Sequence, residues 1–119
     1  MQAQLTRMEV LRKQDLQNGQ MKEVETGGHK ILVAKAADKY YATQARCPHL
    51  GGILANGKLE GTIVTCPFHG SQFDLVDGRV IRWTRWTGAL AAINRSIKKP
   101  RPLKTYKVLE EADKIFVEI

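Results

Sequence analysis

The 119-residue sequence predicts a small all-β domain with antiparallel strands, and three observations lead there. Short β-like runs punctuated by Gly, Asp and Asn turn signals fill both ends of the chain, and helical patterning is scarce in them. The length suits one ordinary core. Hydrophobic residues at 43% and charged residues at 26% are the mix of a globular protein,.

Residues 9–12 and 21–24 read as the first two strands. Thr26-Gly27-Gly28-His29 reads as a hairpin turn into a strand at 30–35, and Ala37-Asp38-Lys39 turns into a fourth at 40–45,. Residues 58–60 and 62–66 form a hairpin hinged at Gly61, which returns Cys66 towards Cys47. Strands at 72–75 and 79–81 flank an Asp77-Gly78 turn. The chain closes with 103–109 and 114–118 around Glu111-Ala112-Asp113, a terminal hairpin. One stretch departs from this pattern: Trp83, Trp86, Leu90, Ile93 and Ile97 recur every three or four residues, within roughly 80° of one helix face. Gly88 weakens such a helix by about 1 kcal/mol relative to Ala, and Pro100 stops it. A short amphipathic helix is expected there.

The net charge of +7 is local. Residues 79–107 hold nine of the nineteen Lys and Arg and none of the twelve Asp and Glu, so the rest of the chain sets ten basic residues against twelve acidic ones. A basic surface confined to one segment follows. Three readings of that segment compete: an apolar stripe packed on the β domain with solvated Lys and Arg, a ridge that steers an acidic redox partner, and peripheral membrane contact. Nucleic acid is disfavoured, because no binding motif accompanies the charge. Residues 1–15 are polar and lack the apolar core of a signal peptide, and no apolar run reaches the eighteen or so residues of a membrane span. Both cysteines belong to one motif, which leaves no thiol for a disulfide, so a cytoplasmic location is expected.

That motif is the most informative part of the sequence. Cys47-Pro48-His49 and Cys66-Pro67-Phe68-His69 each offer one thiolate and one imidazole. Structural zinc modules usually group their cysteines and their histidines separately. Here each segment mixes them, which suits an iron–sulfur cluster in which two His replace two Cys on one of two irons. His29 has no such partner spacing and is not counted as a ligand.

Cys47-Pro48-His49-Leu50-Gly51-Gly52 and Cys66-Pro67-Phe68-His69-Gly70-Ser71 resemble the two cluster-binding loops of Rieske [2Fe-2S] proteins. The resemblance is strongest over residues 45–79. It implies a Rieske-like β-sandwich over residues 1–119, with a small cluster-binding subdomain at about 45–80 and a basic insertion at about 81–101 where the family has a shorter covering loop. It also implies that Cys47 and Cys66 bind the inner iron, that His49 and His69 bind the outer and more exposed one, and that Ser71 donates to a bridging sulfide. With neutral imidazoles, two sulfides and two thiolates balance two ferric ions, so mixed ligation eases reduction. Potentials of such centres span roughly −150 to +300 mV. Phe73 stands where the quinol-oxidising members have a Tyr that donates to a ligand sulfur, and Gly52 and Phe68 replace their loop-tying Cys pair. A potential below that class is expected.

The resemblance points to a Rieske ferredoxin, a one-electron carrier with no catalytic residues of its own. It would take electrons from a reductase and pass them to an oxygenase or another acceptor. The rival expectation is a small Rieske subunit of a larger oxidoreductase, like that of assimilatory nitrite reductase. A complete Rieske oxygenase is not expected, because its mononuclear-iron domain would have to follow and the sequence stops at Ile119.

Overall fold

The computed structural model describes residues 6–49, 51–84, 88, 93 and 100–119. Among the described residues, eleven strands fall into three antiparallel sheets: β1 (Arg7–Arg12), β2 (Met21–Thr26), β3 (His29–Ala36), β4 (Lys39–Gln44), β5 (Lys58–Glu60), β6 (Ile63–Thr65), β7 (Gln72–Asp74), β8 (Val80–Arg82), β9 (Thr105–Tyr106), β10 (Val108–Glu111) and β11 (Lys114–Glu118). Their spatial orders are β1-β11-β10, β2-β3-β4-β9 and β5-β6-β7-β8.

Strand β3 explains how the sheets stack. Its Ile31-Leu32-Val33-Ala34 run is fully buried, and side chains alternate across a strand. Ile31 and Val33 therefore enter one core, with Val10, Leu16, Tyr40, Ala42, Ile115 and Val117 from the terminal sheet side. Leu32 and Ala34 enter the other, with Leu54, Val64, Phe73, Leu75, Trp83, Leu103 and both cysteines. A strand buried on both faces reads as a continuous apolar run, and here it is the wall between the two cores.

The β3–β4 hairpin turns through Ala37 and Asp38, both with positive φ (50° and 64°). Such backbone costs roughly 1–2 kcal/mol per non-glycine residue. Asn18 offsets part of that cost: its Oδ1 accepts the Asp38 N–H at 2.8 Å and its Nδ2 donates to Asp38 Oδ1 at 2.9 Å.

Two expectations are corrected. The single strand expected at 103–109 is two short ones, because β9 pairs with β4 while β10 pairs with β11. Of the stretch expected to form the amphipathic helix, Gly88 and Ile93 are helical, and 85–87, 89–92 and 94–99 lie outside the described residues. Trp83, placed on its apolar stripe by periodicity, is instead a buried core residue at 2% exposure. No helix among the described residues is long and apolar enough to cross a membrane.

Candidate metal centre

The two candidate ligand loops are six residues long and close in the same way. Residues 47–52 sit above the Arg46↔Ile53 bridge, and residues 66–71 above the Thr65↔Gln72 pair of β6 and β7. The Cys47 N–H donates to the Gly52 carbonyl at 2.8 Å, and the Cys66 N–H donates to the Ser71 carbonyl at 2.8 Å. Four residues after each cysteine stands a glycine in the left-handed region, Gly51 at φ 75° and Gly70 at φ 74°. That conformation favours glycine and lets each loop fold back on itself.

Two further glycines bring the loops together through what they lack. A Cβ on Gly57 would stand 1.9 Å from the Thr65 carbonyl oxygen, so only glycine lets the chain after the first loop lie against the strand leading to Cys66. A Cβ on Gly52 would stand 2.7 Å from Cys66 Sγ and 3.3 Å from the Phe68 ring. The first loop thus leaves a hollow that the second loop's sulfur and phenyl ring use.

The four candidate ligands are sorted by type. The Cys47 and Cys66 thiols are buried and hydrogen-bonded to each other. The His49 and His69 rings meet edge to face, with centroids 5.2 Å apart. Among the described residues no three His, Cys, Asp or Glu groups are placed to hold a single metal ion. Two like pairs, thiol with thiol and imidazole with imidazole, match a two-metal cluster with two ligands per iron better than one tetrahedral zinc.

Backbone N–H groups line the sulfurs. The thiol of Cys66 is lowered from its ordinary 9.0 to about 6, first by the hydrogen bond from Cys47 and then by the N–H groups of Phe68 and His69, against the opposing effect of burial. Cys47 is pushed up, first by holding that shared proton and then by burial; the His49 N–H and the Ser71 hydroxyl act in the other direction. The first proton therefore leaves from Cys66. Donors aimed at thiolate sulfur are also what a cluster's ligand shell requires.

The imidazoles differ in exposure. Both were expected to face outward, and only His69 does in part: His49 is 2% exposed. The cause is Trp83, whose ring lies 4.8 Å from the His49 ring at 51° and also meets Phe73 edge-on at 6.3 Å. Ser71 ties these pieces together: its hydroxyl donates to the Trp83 carbonyl, lies 3.3 Å from His49 Nδ1 and is within hydrogen-bonding reach of Cys47. Thr84 Oγ1 donates to the His69 carbonyl at 3.3 Å, and Arg82 donates through Nε and Nη2 to the Gly70 carbonyl at 3.0 and 2.9 Å.

The last residue of β8 and the two that follow it, 82–84, are thus the cover over the candidate centre. Sequence patterning missed this because Trp83 fell into a helical period; a lone Trp directly after a strand next to a ligand loop was the available signal. His29 lines a cavity of about 300 Å³ with Thr6, Met8, Gly27 and Ile119, a lining that includes no residue of either loop. In the basic segment Arg79 is already paired with Asp74 and Asp77, at 3.2 and 3.7 Å.

Comparison with known proteins agrees with this geometry. A family model described as the Rieske [2Fe-2S] domain matches residues 6–107. Apoptosis-inducing factor 3 of Homo sapiens is 44% identical over 64 residues, covering 54% of this chain and 11% of that protein. Ferredoxin CarAc of Metapseudomonas resinovorans is 35% identical over 65 residues, covering 54% of this chain and 61% of that one. The chain therefore spans less than two thirds of either relative. A solved complex of reduced oxygenase and oxidised ferredoxin in carbazole 1,9a-dioxygenase contains a chain with TM-score 0.75 and 25% identity, covering 94% of this chain and 92% of that one.

Proposed function

The chain belongs to the Rieske [2Fe-2S] domain family, and from that membership we propose that it is a one-electron carrier passing electrons from a reductase to an oxygenase or another acceptor enzyme. The [2Fe-2S] cluster supplies, when bound, a centre that gains and loses one electron. Cys47 and Cys66 would hold one of its irons, and His49 and His69 would hold the other. Ser71 steadies Cys47 and His49 at once, and Trp83 keeps water from the His49 side. One observation carries the reading: the thiols are paired inside while one imidazole of the other pair, His69, reaches the surface.

The relatives support a carrier. CarAc is named a ferredoxin, and the matching chain in the carbazole 1,9a-dioxygenase complex belongs to an oxygenase–ferredoxin pair. We assign no catalytic residue. Residues 1–119 act as one Rieske domain, with 45–80 as its cluster-binding part. Two free cysteines, both committed to the cluster, suit the reducing cytoplasm,. A second reading, a Rieske part of a larger oxidoreductase assembly, draws on apoptosis-inducing factor 3, of which the matched region is only 11%.

The test is the absorption and EPR spectrum of the purified protein with its iron and sulfide content. Two irons and two sulfides per chain with a mixed-ligand [2Fe-2S] signal are expected. A colourless protein, or one holding zinc, would sink the proposal. Cys47→Ser and His69→Ala should each cost the cluster, and an unchanged spectrum in either would refute the ligand assignment.

A further inference from the structure

Arg82 occupies an unusual place. A register shift between Gln72 and Phe73 bulges Ile81 out of the β7–β8 pairing and sets Arg82 opposite Gln72, at the root of the second loop. Bulges re-aim side chains in this way. From there two guanidinium nitrogens, Nε and Nη2, donate to one acceptor, the Gly70 carbonyl, at 3.0 and 2.9 Å. Gly70 lies between His69 and Ser71. All twelve Asp and Glu are among the described residues, and none of them pairs with Arg82; the ion pairs of the neighbourhood belong to Arg79 and Arg46. A guanidinium does not lose its proton in proteins. The fork therefore pins an uncompensated positive charge against the loop that carries His69.

We propose that Arg82 is a positioning residue that sets the reduction potential of the centre, by fixing a positive charge beside the His69–Ser71 loop that favours the electron-bearing state. The inference rests on the carrier reading above. Reduction adds one electron from a one-electron donor protein, makes or breaks no bond and moves no proton, so the centre's net charge falls by one. A nearby fixed cation attracts the more negative state more strongly. Arg82 is exposed, so the attraction is weakened by salt. Its fork holds the loop as well, which makes charge and anchoring separable by substitution.

The experiment compares the holoprotein with Arg82→Lys and Arg82→Gln. Cluster content is checked by iron analysis and visible absorbance, and the midpoint potential is measured by spectroelectrochemical titration at low and at high salt. Arg82→Gln should keep its cluster and become harder to reduce, its reduced-to-oxidised ratio at a fixed poise falling several-fold. Arg82→Lys, which keeps the charge and loses the fork, should stay close to wild type, and the gap between the two variants should narrow at high salt. Equal shifts in both variants, or none in either, would overturn the proposal and leave Arg82 as a loop anchor. Should Arg82→Gln fail to take up the cluster, the wild-type potential itself decides: it should fall as salt rises, and a flat or rising response overturns the proposal. A wild-type chain with no [2Fe-2S] spectrum overturns the carrier reading along with it.

Discussion

Gly51 and Gly52 are neighbours that are glycine for opposite reasons, and replacing each by alanine separates clash from strain. Gly52 does not have positive φ, so alanine meets no backbone penalty there. Its Cβ would stand 2.7 Å from Cys66 Sγ and 3.3 Å from Phe68 Cδ2. Ordinary contacts of heavy atoms are about 3.5–4.0 Å, so the sulfur would have to retreat by about 1 Å. Metal–ligand distances hold to within about 0.2 Å, and a displacement several times larger removes one ligand of the inner pair. Gly51 has φ 75°, and a Cβ there meets nothing within 4 Å. Alanine at that position costs about 1–2 kcal/mol of backbone strain and touches no ligand. Gly52→Ala should therefore fold, with far-ultraviolet circular dichroism unchanged, and hold less than half the wild-type iron and sulfide. Gly51→Ala should unfold at lower urea with its cluster content intact. A Gly52→Ala protein with full cluster content, or a reversal of the two phenotypes, would refute the steric account of the hollow between the loops.

Three other outcomes follow from the same geometry. Trp83→Ala removes a fully buried ring that packs on both His49 and Phe73, and should lower stability in urea by about 3–5 kcal/mol; a loss below about 1 kcal/mol would mean that Trp83 is no cover. Phe73→Tyr places a hydroxyl in the core that contains both cysteines, and voltammetry should show a more positive potential with the cluster retained, an unchanged value ruling out Phe73 as a reason for a low potential. In the apoprotein, the Cys66 thiol at about 6 lies below its ordinary 9.0, so its contribution to stability is complete above pH 9 and is lost as pH falls through 6. Cys47 is shifted upward, so its contribution is complete below pH 9 and is lost at higher pH. Apoprotein stability in urea should rise from pH 6 to pH 9 and decline beyond it, with one thiolate appearing near pH 6 at 240 nm. Two thiolates ionising together would contradict the shared proton.

Much of the frame could be read from the sequence because it is written locally. The strand edges at 58–60 and 114–118, the Gly27-Gly28 turn and the Asp77-Gly78 turn follow from residue type over a few positions. So does the sorting of one Cys and one His into each loop. What could not be read is decided by residues far apart. The break at Lys107 exists because β9 and β10 answer to different sheets. The burial of His49 depends on a tryptophan 34 positions later, and its three-to-four-residue spacing with Trp86 and Leu90 concealed that role. Ser71 was legible as a hydroxyl beside the site, whereas its bond to the Trp83 carbonyl was not, since nothing local places residues 82–84 over the loops.

The covering of His49 by Trp83 has a consequence for traffic. On the proposed reading, His69 is the one imidazole ligand that the described residues leave within reach of another protein, so the molecule has one door. Donor and acceptor cannot stand in it together, and each visit must end before the next begins. Such a carrier gains nothing from holding either partner tightly: its turnover is set by how fast it lets go, and weak, salt-sensitive encounters serve it better than a lasting three-protein chain.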